Sequence, residues 1–233
     1  MKILLIIPAY NEADNIGKLI DNINTNYKLY DYIIINDGST DSTAEICKKR
    51  GYHYINLTIN LGIGGAVQTG YQYALENEYD IAVQLDGDGQ HNVEYVNTLI
   101  KPIINGEADM VIGSRFIDKK GFQSSAIRRL GIQFLSRLIQ VSSGKRIKDV
   151  TSGFRAINRE YIKIFAADYP TDYPEPEAIV SVFMHKGTVK EVAVRMNERE
   201  SGISSINIWK SCYYMIKVTL AVIVCRISFG IRR

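Results

Sequence analysis

Several features that would assign this 233-residue chain to a special class are scarce in its sequence or missing from it. The three cysteines, Cys47, Cys212 and Cys225, have no metal-binding spacing and form no even set, which favours a reduced cytosolic setting over a disulfide scaffold. The apolar run near the N-terminus is too short for a signal peptide. The mainly apolar run at 218–225 has eight residues, far fewer than the ~20 that a membrane-spanning helix needs.

Two nucleotide-binding signatures are also missing. No Gly-x-Gly-x-x-Gly follows the first apolar segment, which argues against a dinucleotide-binding fold, and no Gly-Lys-Ser/Thr phosphate loop occurs. The composition is otherwise that of an ordinary globular protein. The length suits one large α/β domain, or one such domain with an appendage.

The net charge of +3 conceals a strong asymmetry along the chain. Residues 1–114 carry 7 basic and 15 acidic side chains, residues 115–148 carry 9 and 1, and residues 149–233 carry 12 and 9. An acidic half suited to a metal is thus followed by a basic segment suited to an anion. Nucleic acid ranks last as that anion, because no nucleic-acid motif or interleaved aromatic residues accompany the basic segment.

Apolar segments alternate with amphipathic ones through the first half of the chain. The pattern predicts strands over 2–7, 32–36, 52–57, 81–85 and 109–113, and helices over 12–23, 42–50, 63–78 and 93–104. Strands separated by helices imply right-handed βαβ units and a mostly parallel, buried sheet. Ligands of such sheets bind at the carboxyl ends of the strands.

Two carboxylates follow the fourth predicted strand directly. Asp86 and Asp88 are two residues apart, so in an extended segment both point to the same side, and the glycines beside them allow a sharp turn. Two hard oxygen ligands on such a turn suit Mg²⁺ or Mn²⁺ shared with substrate phosphates. An acidic Asp-Gly turn without a ligand is the alternative.

The earlier strand ends are polar as well. Asp37 is placed to accept hydrogen bonds from a base or ribose, and Gly38 leaves room for a flat ligand; a plain helix-initiating turn is the alternative. The glycine-rich segment 60–65 opens a predicted helix. Its backbone N–H groups suit a phosphate, and its glycines equally suit close packing of the helix on the sheet.

Three motifs in order resemble those of family 2 glycosyltransferases: Ile-Ile-Pro-Ala-Tyr-Asn-Glu at 6–12, Asn-Asp-Gly-Ser-Thr-Asp at 36–41 and Asp-Gly-Asp at 86–88. The segments 60–66, 113–115 and 151–155 extend the resemblance, which covers about residues 1–206 and is similar to the polyprenyl- and dolichyl-phosphate sugar transferases. It implies an α/β fold, a GT-A-like nucleotide-binding sandwich with a central mostly parallel sheet, over a catalytic domain at 1–205.

The resemblance also implies a reaction and its site. The reaction is metal-dependent, inverting transfer of a sugar from a nucleotide-sugar, with UDP the favoured nucleotide, to polyprenyl (undecaprenyl) phosphate in cell-envelope glycan assembly. The residues implied for the nucleotide-sugar are Pro8, Tyr10, Glu12, Asp37, Asp86 and Arg199, and those implied for Mg²⁺ or Mn²⁺ are Asp86, Asp88 and Gln90. Asp88, Arg115 and Arg155 are the predicted catalytic residues.

The acceptor's phosphate needs cationic clamping rather than a strong base, since its second pKa is about 6 and it is already a nucleophile. The candidates for this clamp are Arg115, Arg128, Ser152 and Arg155, and a solvated surface charge is the alternative for each arginine. Glu175 and Glu177 are candidate sugar contacts, with capping of a helix N-terminus as the alternative.

Residues 206–233 are predicted to form an amphipathic helix with aromatic residues and lysines. Such a helix suits a membrane interface, and docking on the catalytic domain or a partner is the alternative. Relatives often carry two C-terminal transmembrane helices that this sequence lacks, so we expect a peripheral protein on the cytoplasmic face of the membrane. A small membrane-protein partner or a homo-oligomer is the expected means of attachment.

Two rival functions stay open at this point. A transferase that extends a polysaccharide or glycolipid at a sugar hydroxyl needs a general base, which Glu175 or Glu177 would have to supply. A nucleotide-sugar-binding regulatory subunit without turnover is the alternative that is not an enzyme.

Overall fold

A computed structural model describes residues 1–118, 126–172, 174–197, 217–220 and 224. Its strands are β1 (Ile3–Ala9), β2 (Asp31–Asn36), β3 (Tyr54–Asn56), β4 (Ile81–Gln84), β5 (Met110–Ser114), β6 (Arg155–Asn158) and β7 (Val189–Ala193). Its helices are α1 (Ala13–Asn26), α2 (Thr43–Lys49), α3 (Gly62–Glu76), α4 (Val96–Ile104), α5 (Ala126–Ser143), α6 (Arg159–Ala167) and α7 (Pro174–Met184), with a 3₁₀ turn, Val93–Tyr95, before α4.

The seven strands form one sheet in the order β3-β2-β1-β4-β6-β5-β7. The pairs β1–β2, β1–β4, β2–β3 and β5–β7 are parallel, whereas β6 is antiparallel to both of its neighbours. The prediction of a mostly parallel sheet is therefore confirmed. Each predicted helix and strand of the first half is present, with ends that differ by a few residues.

Helices cover both faces of this sheet, as its apolar residues require. In β1, Leu4 and Ile6 pack into one core cluster with α3, α5, α6 and α7, while Leu5 and Ile7 pack into a second cluster with α1, α2 and α4. Because alternate residues of a strand point to opposite faces, an uninterrupted apolar strand belongs between two helical layers.

The reversed direction of β6 shapes the edge of the sheet at which the parallel strands end. An antiparallel strand presents its amino end where its neighbours present their carboxyl ends. Residues 151–154, which precede β6, therefore lie between the end of β4 and the end of β5. This placement brings a loop from the second half of the chain to the edge where ligands bind.

The glycine-rich start of α3 packs closely on another loop. A Cβ atom at Gly64 would lie 2.1 Å from the Pro170 carbonyl oxygen, and the Gly64 N–H donates to the Thr171 carbonyl at 3.1 Å. Gly64 is therefore closely packed, but against the loop at 170–171 rather than against the sheet, and its N–H group is already used.

The predicted C-terminal helix lies outside the described residues, apart from 217–220 and 224. Within those few residues, Val218 is buried in the core and Lys217 pairs with Asp172. These contacts favour docking on the catalytic domain for this turn. Among the helices that the structure describes, none is both long enough and apolar enough to cross a membrane.

Candidate active site

A cleft of about 500 Å³ opens at the carboxyl ends of β1, β2 and β4. Residues from five separate segments line it: Pro8, Ala9, Tyr10, Glu12, Asp37, Asn60, Gly62, Ile63, Ala66, Asp86, Gly87, Asp88 and Glu175. Every residue that the sequence assigned to the nucleotide-sugar, apart from Arg199, lines this cleft. Arg199 lies outside the described residues.

The first two motifs are tied together by side chains that hold their loops. Asn11 has a positive φ of 56°, which asparagine tolerates, and its Oδ1 accepts from the Thr40 N–H at 2.8 Å. In return, the Asn11 N–H donates to Ser39 Oγ at 2.9 Å, and Asp41 accepts from the Ala13 N–H at 3.1 Å. These polar residues position the loops, which leaves Tyr10 and Glu12 facing the cleft.

Asp37 is a buried carboxylate at the end of β2. One of its oxygens accepts from the Leu61 N–H at 2.7 Å, and burial raises its pKa above the ordinary value. Gly38, at a φ of +63°, packs where a Cβ would lie 2.7 Å from the Asn60 nitrogen. The Asp-Gly pair thus joins β2 to the start of α3 along one wall of the cleft.

The two aspartates after β4 both line the cleft. Asp88 is buried, and its Oδ1 accepts from the Gln90 N–H at 3.0 Å, while 34% of the Asp86 side chain is exposed. Between them, a Cβ at Gly87 would lie 3.0 Å from the Pro8 carbonyl oxygen. The turn is therefore pressed against β1, with Asp86 and Asp88 on the side of the cleft.

His91 also belongs to this turn, and the sequence prediction did not include it among the site residues. Its buried ring stacks on Phe154 with centroids 4.8 Å apart, and its Nδ1 accepts from the Asp86 N–H at 3.0 Å. Burial lowers the pKa of His91 to about 4, so the ring is neutral at pH 7. The only sequence signal for His91 as a site residue was its position just after the Asp-x-Asp motif.

The donor set fits a hard divalent cation that is shared with a substrate. Within the described residues, no group of three or more His, Cys, Asp or Glu side chains is arranged to hold a metal ion. Mg²⁺ is commonly held by one or two carboxylates together with substrate phosphates, and Mn²⁺ suits the same oxygen ligands. Asp86 and Asp88 match that pattern. Gln90 contacts Asp88 through its backbone N–H, and a role of its side chain as a metal ligand stays a prediction.

The predicted acceptor residues that the structure describes form a wall beside this cleft. Arg115 is buried and donates to both carboxylate oxygens of Asp149, at 2.8 and 2.7 Å, and to Thr151 Oγ1 at 3.1 Å. Burial opposes the charge of Arg115, but its bonds to Asp149 outweigh that effect and raise its pKa. This ion pair fixes the loop before β6 to the end of β5.

Ser152 and Arg155 are buried in the same wall. The Ser152 hydroxyl donates to the Gly113 carbonyl at 2.7 Å, and Arg155 donates to the carbonyl oxygens of Ser152 and Glu175. Their donors therefore hold backbone groups in this conformation. A role of Arg115, Ser152 or Arg155 in binding phosphate stays a prediction, as does that of Arg128, whose side chain lies outside the described structure.

A second cavity, of about 740 Å³, lies beside α5 and is strongly basic. It is lined by Phe116, Arg129, Ile132, Gln133, Ser136, Arg137, Arg146 and Lys148. The Ser136 hydroxyl donates to the Ile147 carbonyl, which holds the segment with Arg146 and Lys148 against the helix. The sequence prediction located the basic segment but named Arg128 rather than these four cations.

The two candidate sugar contacts have different surroundings. Glu175 lines the cleft, whereas Glu177 is half-buried on the side of Asp172 and Lys217. Burial raises the pKa of Glu177 to about 7, although the charge of Lys217 opposes this shift. Within the cleft as described, Glu175 is therefore the better placed of the two.

Comparison with known proteins places this geometry in context. The sequence profile named Glycosyl transferase family 2 matches residues 4–165. A UDP-N-acetylglucosamine–dolichyl-phosphate N-acetylglucosaminyltransferase of Methanococcus voltae is 32% identical over 216 residues, which cover 83% of this chain and 84% of that protein. A polyprenol monophosphomannose synthase of Mycolicibacterium smegmatis is 28% identical over 217 residues, which cover 88% of this chain and 80% of that protein.

The fold also has a counterpart of known structure. The crystal structure of glucosyl-3-phosphoglycerate synthase from Mycobacterium tuberculosis, in complex with Mn²⁺, UDP-glucose and phosphoglyceric acid, is similar with a TM-score of 0.73 and 21% identity. The match covers 96% of this chain and 79% of that one. At this identity the likeness concerns the fold, and it confirms the predicted GT-A-like α/β sandwich.

Proposed function

Because the chain belongs to glycosyl transferase family 2 and is a glycosyltransferase, we propose that it transfers a sugar from a UDP-sugar to polyprenyl phosphate, with Mg²⁺ or Mn²⁺, in cell-envelope glycan assembly. One observation carries this proposal: the acidic cleft lies at the end of β4, and the basic cavity includes Phe116, just beyond the end of β5, which runs in the same direction. The cleft suits a nucleoside diphosphate with its cation, and the cavity suits the phosphate of the acceptor.

On the donor side, each wall of the cleft has a distinct task. Tyr10 is half-exposed and presents an aromatic ring to the base, while Asp37, whose N–H donates to the Ala9 carbonyl beside Tyr10, accepts from the ribose or base. A cation held by Asp86 and Asp88 would offset the charge that develops on the leaving diphosphate. Support for UDP and Mn²⁺ comes from the ligands named for the structurally similar synthase and from the donor named for the Methanococcus voltae relative.

On the acceptor side, the cations of the second cavity clamp the phosphate of the lipid. The cavity includes Phe116, two residues beyond the end of β5, just as Asp86 is two residues beyond the end of β4. These strands are separated by β6, so the two strand ends are about 10 Å apart along the sheet. A phosphate monoester is already nucleophilic near neutral pH, and the clamp directs one of its oxygens toward the sugar.

The exposed face of α5 supports an acceptor that resides in a membrane. Leu130, Phe134 and Val141 are 66%, 51% and 79% exposed, and their spacing of four and seven residues places them on one side of the helix. Of the second cavity's cations, Arg137 lies on this same side of the helix, between Phe134 and Val141, and Arg129 lies beside it. Apolar residues flanked by cations suit an anionic membrane surface, so we assign the protein peripherally to the cytoplasmic face.

The decisive experiment is product formation by the purified protein. It is incubated with vesicles containing polyprenyl phosphate, Mn²⁺ and one labelled nucleotide-sugar from a panel that includes UDP-glucose, UDP-N-acetylglucosamine and GDP-mannose. We expect an acid-labile lipid-linked sugar with a UDP-sugar, and no product after chelation of the metal. Label found only in polymer or protein would contradict the acceptor, and product with GDP-mannose alone would contradict the donor.

Glu175→Gln tests whether the acceptor is a phosphate or a sugar hydroxyl. A phosphate needs no general base, so we expect kcat to change by less than about tenfold, whereas removal of a true base lowers the rate by about 10²–10⁴. Glu177→Gln, the same change on the same helix, serves as the matched control on the side of Asp172 and Lys217. A collapse of kcat in Glu175→Gln alone would favour the hydroxyl-acceptor rival.

A further inference from the structure

His91 is a buried side chain next to the cleft to which the proposed reaction assigns no role. Its ring stacks on Phe154 with 4.8 Å between centroids and 13° between planes. This stack fixes the ring, and therefore the directions in which its two nitrogen atoms point. Both nitrogen atoms face one residue, Asp86.

His91 contacts two different parts of Asp86, its backbone and its side chain. Nδ1 accepts from the Asp86 N–H at 3.0 Å, and Nε2 lies 3.5 Å from Asp86 Oδ2. A neutral imidazole has one acceptor and one donor nitrogen, so a ring that accepts at Nδ1 carries its proton on Nε2. That proton points to the side of the carboxylate, and the ring therefore restrains both the backbone and the side chain of Asp86.

The carboxylate is restrained from its other side as well. A Cβ atom at Gly153 would lie 3.2 and 3.3 Å from the two carboxylate oxygens of Asp86. Gln84 Nε2 lies 3.5 Å from Oδ1. The carboxylate thus occupies a narrow slot between the His91 ring, Gln84 and the backbone at Gly153, and this slot opens to the cleft that Asp86 lines.

From this slot we infer that His91 is a positioning residue, which holds Asp86 in the orientation that receives the divalent cation arriving with the nucleoside diphosphate. The inference rests on the proposed function, because it concerns the cation that the donor brings. Side chains that orient a metal ligand typically change metal affinity or activity by 10–100-fold when they are replaced. The ring acts on the cation through Asp86 and contacts neither substrate.

The test measures cation affinity rather than turnover. Mn²⁺ is titrated into the protein with saturating UDP, and free Mn²⁺ is followed by electron paramagnetic resonance. In His91→Phe, which keeps a ring for the stack but loses both nitrogen atoms, we expect the Kd for Mn²⁺ to rise by about 10–100-fold. The Kd for UDP without metal should stay within about twofold of the parent value, because Tyr10 and Asp37 line the cleft whereas the His91 ring does not.

Two further variants separate positioning from general stability. His53→Phe makes the same change at an exposed histidine and should leave the Kd for Mn²⁺ unchanged. In His91→Asn, the amide oxygen can accept from the Asp86 N–H, so its Kd should lie between those of the parent and His91→Phe. If His91→Phe does not fold, a threefold or greater loss in folded His91→Asn supports the role, and an unchanged Kd overturns it.

A second readout needs neither metal nor substrate. Nitrogen-15 NMR of histidine-labelled protein should show His91 neutral, with its proton on Nε2. A proton on Nδ1, or a folded His91→Phe that binds Mn²⁺ as tightly as the parent, would overturn the inference and leave the proposed function standing. A parent protein that binds no Mn²⁺ with UDP would instead overturn the metal-dependent function, and this role with it.

Discussion

Replacing Asp88 by asparagine is expected to lower kcat/KM for sugar transfer by at least about 10³-fold, or about 4 kcal/mol of transition-state stabilisation. Asp88 is buried at the base of the cleft, where its carboxylate faces the same space as that of Asp86. Asparagine keeps the shape and an acceptor for the Gln90 N–H but removes the charge. The loss therefore reports on the charge that holds the cation, and steady-state kinetics at several Mn²⁺ concentrations measure it.

The matched control for this variant is a carboxylate at the other end of the same strand. Asp80 directly precedes β4, whereas Asp88 follows it, so the two carboxylates are at opposite edges of the sheet. In Asp80→Asn, an acceptor for the Lys2 N–H is retained, and activity should stay within about twofold. Thermal unfolding of both variants shows whether the fold is intact. A folded Asp88→Asn protein with parental turnover would contradict the metal-bridging role of this residue.

The alternation of apolar and amphipathic segments predicted that the strand ends lining the cleft meet at one edge of the sheet, whereas the assignment of their residues to a nucleotide-sugar came from the resemblance to family 2 glycosyltransferases. Apolar segments separated by amphipathic helices pair in parallel, and their carboxyl ends meet at one edge. Pro8, Asp37 and Asp86 each lie at the end of such a segment, and all three line one cleft. The resemblance implied a role for Tyr10, which lines the cleft, but none for its neighbour Asn11, which holds the adjacent loop.

The direction of β6 could not be predicted in the same way. The apolar pattern of a four-residue strand does not indicate the direction in which the strand runs in the sheet. That direction is fixed by pairing with β4 on one side and β5 on the other. This pairing brings Gly153 against Asp86 and places the Phe154 ring under His91. These two contacts, Gly153 with Asp86 and Phe154 with His91, join segments more than 60 residues apart, and the local sequence contains no signal for them.

For the acceptor half as well, the sequence did not show which charged residues are available to bind a ligand. The excess of basic residues at 115–148 predicted an anion site, but composition does not reveal which cations remain available. Arg115 is paired with Asp149, and Arg155 donates to backbone carbonyl groups, because buried guanidinium groups need partners. The cations that line the second cavity come from α5 and from the segment after it, and tertiary packing alone brings them together.

Reversing two of these charges, in the double variant Arg129→Glu and Arg137→Glu, is expected to raise KM for polyprenyl phosphate by at least about 100-fold. Hydrogen bonds to charged groups contribute about 1.5–3 kcal/mol each, and 100-fold corresponds to about 2.7 kcal/mol. The KM for the UDP-sugar should stay near the parental value, because both arginines line the second cavity rather than the cleft. A short-chain acceptor in detergent keeps membrane binding from limiting the rate.

Two control variants separate the cavity from surface charge and from membrane attachment. Lys48→Glu with Lys49→Glu makes the same change in net charge on the exposed surface of α2 and should leave both KM values within about twofold. Leu130→Ser with Phe134→Ser should reduce sedimentation with anionic vesicles yet keep the acceptor KM in detergent, since these side chains form the exposed side of α5. An unchanged acceptor KM in a folded Arg129/Arg137 variant would show that the lipid phosphate does not bind in the second cavity. If Arg115 bound the phosphate instead, its guanidinium group would have to give up its ion pair with Asp149.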